Sequence, residues 1–107
     1  MTLRNTITLA YYLASQGVSA QRMAEACETL TACEKALASL GVADCNVGLT
    51  PRQEKRRERL ADAAMAAGAS LGAMVETHRD PRGPAVLLTW KDPAAPSNCF
   101  GGGWAFC

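Results

Sequence analysis

Thr50-Pro51-Arg52-Gln53-Glu54-Lys55-Arg56-Arg57-Glu58-Arg59 begins the clearest helical pattern in this chain. Its first four residues read as a capping box. Thr50 can accept from a first-turn amide, Gln53 can reach back to the Thr50 amide, and Pro51 sits where no intrahelical donor is needed. Leu60, Ala64, Ala67, Leu71, Met74 and His78 then recur at spacings of 4, 3, 4, 3 and 4, one stripe of a helix. Asp80-Pro81-Arg82-Gly83-Pro84 supplies a stop. The pattern predicts a helix over 51–78, roughly 40 Å long, half of which has to project or lie across the rest. Gly68 and Gly72, one turn apart inside it, each cost about 1 kcal/mol against Ala. Close approach of another backbone is the expected reason.

The segments before it form two more helices. Leu3, Ile7, Ala10, Tyr11 and Ala14 mark one face of a helix over about 2–16, which Gly17 is placed to end. Ser19 caps a second helix, with Met23, Cys27, Leu30, Cys33, Leu37 and Leu40 on its stripe and Gly41 as the expected stop. That gives a helix over 19–40. Val42, Cys45, Val47 and Leu49 then lie in an expected loop that covers the helix ends. Beyond residue 84, Ala85-Val86-Leu87-Leu88-Thr89-Trp90 reads as a short strand. Trp104-Ala105-Phe106, after three glycines, suits a second strand over 103–106 returning to the first. A lone hairpin is marginal in water, so it has to pack on helices. The fold class expected is mainly α: three helices forming a bundle-like single domain over 1–107, with a short C-terminal β-hairpin or extended segment packed on it.

Composition narrows the function classes. The chain has 107 residues, 49% of them apolar, with net charge +1. No apolar run is long enough to span a bilayer, and no signal peptide is evident, so the cytoplasm is the expected compartment. The positive charge is local: residues 52–59 carry five basic and two acidic side chains. Arg52, Lys55, Arg56 and Arg59 recur at i, i+3, i+4 and i+7 and share a face, with Arg57 to one side. Such a face suits phosphates or an acidic protein surface. Basic residues at a helix N-terminus oppose the macrodipole, which favours a role outside the helix over a role in stabilising it. The bland alternative is a solvated helix end, partly neutralised by Glu54 and Glu58.

The remaining motifs carry less chemistry. Residues 10–27 have the outline of a helix-turn-helix, but the second helix turns acidic at Glu25 and Glu28, poor company for a phosphate-lined groove. Cys27, Cys33, Cys45, Cys99 and Cys107 are odd in number and separated by 5, 11, 53 and 7 residues. Zinc sites want ligand pairs two to four residues apart, so no metal is expected and the thiols are read as reduced. Cys99 beside Gly101-Gly102-Gly103 is the one candidate nucleophile, and His78 the sole histidine to serve as its base. A glycine-rich connection explains that stretch more simply. Trp90 is the expected core plug, and Trp104 and Phe106 are open to serve as interface anchors.

These features point to a non-enzymatic protein-binding module without cofactor. Its expected partner surface is Arg52, Lys55, Arg56, Arg57, Arg59, Trp104 and Phe106. A protein or nucleoprotein complex is the expected partner. By analogy of size and lack of a catalytic constellation, a phage or mobile-element inhibitor of a bacterial defence complex, anti-CRISPR-like, fits. The alternatives are a small nucleic-acid-binding protein using the basic half of the third helix, and a cysteine-dependent enzyme.

Overall fold

The computed structural model describes residues 11–79 and 85–90. The chain is mainly helical, with one small antiparallel sheet. Residues 11–15 are helical and are called α1. It closes as expected at Gly17, whose φ of 82° is open to glycine at little cost. Ser19 then caps α2 (Ala20–Val47), its side-chain oxygen accepting from the Arg22 amide at 3.1 Å. α3 (Pro51–Ser70) opens with the predicted capping box. The Gln53 amide donates to Thr50 Oγ1 at 3.2 Å, and the Thr50 amide donates to Gln53 Oε1 at 2.9 Å.

Two boundaries differ from the sequence reading. α2 does not stop at Gly41. That residue is buried inside the helix and does not terminate it. The stop is Gly48, at φ 77°, whose amide donates to Asp44 O at 3.1 Å. The segment 42–47 is therefore helix and not a covering loop, and Val42 and Val47 are 50% and 87% exposed. α3 in turn ends at Ser70 and not at residue 78, because Gly72 takes the left-handed φ of 82°. Met74 and His78 continue the helical stripe only by coincidence and are exposed.

After Gly72 the chain runs as β1 (Ala73–Thr77), paired antiparallel with β2 (Val86–Trp90). The register places Ala73 opposite Trp90, Val75 opposite Leu88 and Thr77 opposite Val86. The strand predicted at 85–90 exists, but 73–77 is its partner. The partner predicted at 103–106 lies outside the described residues.

The core is a stack of small side chains between α2, α3 and the sheet. Leu13, Leu30, Val86 and Leu88 are its largest fully buried members, with Cys27, Leu37, Ala64 and Ala67 among the rest. The close approach expected at Gly68 is real, but side chains make it. A β-carbon there would collide with Val75 Cγ2 and stand 3.0 Å from Leu88 Cδ2. Gly72 has nothing within 4 Å, so its glycine is needed for the turn alone. Trp90 is half-buried and meets Tyr12 edge-on, ring centroids 5.6 Å apart at 76°.

Two polar ties hold the hairpin onto the helices. The Glu34 carboxylate of α2 accepts from the amides of Ala85 and Val86 at 3.0 and 2.6 Å. Arg79, just past β1, donates to both carboxylate oxygens of Glu54 at 3.0 and 2.8 Å, and to Asp44 at 3.4 Å.

Gly68→Leu is expected to lower stability by overpacking, about 1–3 kcal/mol or more. Gly72→Ala should cost about 1–2 kcal/mol through backbone strain instead. Paired denaturant titrations check this, and a Gly68 variant as stable as the parent would remove the contact from the account. The Arg79 hydrogen bonds hold Glu54 below the usual carboxylate range, with Arg57 adding to the effect. A depressed folded pKa gives stability that is present at neutral pH and lost as pH falls through that value. Arg79→Met should therefore lower the melting temperature at pH 7 and converge with the parent in acid, read by thermal melts across pH.

Candidate functional site

Thr50 and Pro51 fix where α3 starts, and thereby which way its first residues face. Arg52, Lys55, Arg56 and Arg59 all emerge on one exposed side and, with Pro51, line a shallow recess of about 520 Å³. The lining contains no carboxylate. Arg57 lies to the side and is half-buried. The four-cation face predicted from spacing is thus assembled as predicted, with Arg57 at its margin.

Its electrostatics differ from the sequence reading in one respect. Glu54, expected to offset the local positive charge, is engaged by Arg79. Arg79 is the residue that sequence reasoning missed. The signal was present in Gly72: read as a stop, it turns the following five residues into a strand that returns along α3 and delivers Arg79 to Glu54.

Of the two placements expected for half of α3, projecting or lying across the rest, the structure has the second. The C-terminal half of α3 does carry the buried residues Ala64, Ala67 and Gly68, and its basic half carries none. The basic half nevertheless lies along α2, where Gln53 and Arg56 share a hollow with Lys35, Ser39, Leu40 and Ala43. α2 itself, the would-be recognition helix of a helix-turn-helix, buries Ala26, Cys27 and Leu30.

The thiols and the histidine are not brought together among the described residues. Cys27 and Cys33 are buried, and Cys45 is exposed. Burial pushes the Cys33 thiol up. His78 was read as part of the last turn of α3. It follows β1 instead, its amide donating to Ala85 O at 2.9 Å and its Nε2 lying 3.8 Å from a Glu76 carboxylate oxygen. Cys99, Cys107, Trp104 and Phe106 lie outside the described residues. Among the described residues no three His, Cys, Asp or Glu side chains are placed to hold a metal ion. None of the described helices is long and apolar enough to cross a membrane.

No family model, curated protein or solved structure matches this chain.

Burial separates the thiols by reactivity, since the thiolate is the reacting form and access limits it. Alkylation of the native protein followed by peptide mass mapping should label Cys45 well before Cys27 and Cys33, with the difference vanishing in denaturant. Equal native rates at all three would contradict the packing of α2.

Proposed function

We propose that the protein is a non-catalytic binding module whose working surface is the basic face at the start of α3, and that its partner is an acidic protein surface. The observation that carries this reading is the convergence of Arg52, Lys55, Arg56 and Arg59 on one recess without a carboxylate in its lining. Arg52, in the first turn, works against the helix dipole, and the cations beyond that turn gain nothing from it, so helix stability gives no reason for the cluster and a ligand does. A protein is favoured over nucleic acid by the smallness of the patch. The sequence pI is about 7.6, without the broad positive field of a nucleic-acid-binding domain. Exposed Glu58 and Asp62 stand on the adjoining side of α3. A compact inhibitor that occupies an acidic face of a host defence complex is one role that such a module fits.

The test is capture from bacterial lysate on immobilised protein, with and without nuclease. Capture is expected to resist nuclease and to weaken as salt rises. Arg52→Glu with Lys55→Glu should abolish it while the thermal melt moves little, since exposed substitutions shift stability by about 0.5 kcal/mol or less. Loss of capture on nuclease treatment, with a duplex bound directly, would transfer the face to nucleic acid. Undiminished capture by the double variant would leave the face merely solvated.

A further inference from the structure

The sheet covers one side of the α2–α3 pair, and on another side a groove runs between the two helices. It consists of three hollows of about 510, 440 and 490 Å³ that share Ala32, Glu25 and Thr29 where they meet. Ala26, Cys33, Leu40 and Ala67 form its buried floor, and Ala32, Ala63 and Ala66 are exposed along it. Along α2 it extends from Arg22 to Ala43, roughly 30 Å at 1.5 Å per residue. Alanine walls let another helix approach closely.

Charge is unevenly placed along this groove. Glu25 and Glu28, with Arg22 beyond them, leave one end net acidic, and Lys35 and Arg56 make the other basic, on either side of Ala32 and Leu60. We infer that a second copy of this chain docks here, groove to groove, about a two-fold axis perpendicular to the helices near Ala32 and Leu60. That operation reverses the ends, so the acidic end of each copy faces the basic end of the other and every contact is made twice. The alternative axis, parallel to the helices, sets like ends together and is disfavoured by charge. In the chosen arrangement α2 crosses its counterpart. Glu28, about 6 Å before Ala32 along the helix, comes opposite Lys35, about 4.5 Å beyond it. A strip about 30 Å long and two helices, about 20 Å, wide is roughly 600 Å², of the order of the 800 Å² or so that each partner gives a standard interface. Arg56 lines both this groove and the basic recess, whereas Arg52 and Lys55, the residues reversed to test the acidic-partner reading, belong to none of the charge pairs invoked here.

Sedimentation equilibrium on the full chain tests it. The parent is expected to be a dimer. Glu28→Lys alone and Lys35→Glu alone should each weaken the dimer about 10-fold or more, since like charges then meet across the axis. Glu28→Lys combined with Lys35→Glu should restore it to near the parent. The rescue is specific to two copies, because residues seven apart lie beyond the i, i+3 and i, i+4 spacings at which one helix pairs its own side chains. Circular dichroism melts confirm that each variant is folded. A parent that stays monomeric at all concentrations overturns the inference and leaves the groove to a foreign helix. A dimer indifferent to the single reversals, or not restored by the double, overturns it equally.

Discussion

The packing of this protein depends on a missing side chain. Gly68 lets Val75 and Leu88 seat directly on α3, and the sheet can cover the core only at that separation. Few of the buried residues are large: Ala26, Ala64, Ala67, Ala73 and Ala85 share the interior with a handful of leucines. Dispersion falls steeply with distance, so small side chains are effective only if the elements carrying them come close. Gly68 on α3 serves that closeness. The glycine that costs helix propensity is thus what lets an alanine-rich interior cohere.

The same economy divides α3 into two working halves. The C-terminal half is given to the sheet, and the N-terminal half carries only exposed or half-buried side chains. The two halves are linked through Arg79. β1 returns along α3 and brings that guanidinium to Glu54, with Asp44 of α2 as a second acceptor. Glu54 is therefore spoken for by the fold, and the neighbouring cations keep their charge toward solvent. The electrostatics of the surface are set partly by a residue that is not on it.

The starts of α2 and α3 were legible in the sequence and their ends were not. Ser19 and Thr50 announce caps through short-range hydrogen bonds, which local residue types determine almost completely. Gly41, Gly48, Gly68 and Gly72 are chemically identical, and only the packing around each decides which stops a helix and which sits inside one. Gly48 and Gly72 took the left-handed turns. Leu71, Met74 and His78 prolonged the helical spacing by chance, and Leu71 alone of the three is buried. The cationic face was legible because i, i+3, i+4 and i+7 is a property of one helix. The Arg79 tie and the α2–α3 groove were not, since both require the register between elements distant in sequence.

Glu34 adds a consequence for the order in which the molecule is completed. Its carboxylate holds the amides of Ala85 and Val86, groups half the chain away. α2 and α3, joined by three residues, can meet through contacts cheap in loop entropy, and this favours their early pairing. Yet the side of α2 that meets β2 is covered only when β2 arrives to be caught by Glu34. During synthesis, which runs from the N-terminus, that interval spans the whole of α3 and the hairpin. The nascent chain therefore keeps that side of α2 open until β2 has emerged. The carboxylate of Glu34 is the latch that closes it.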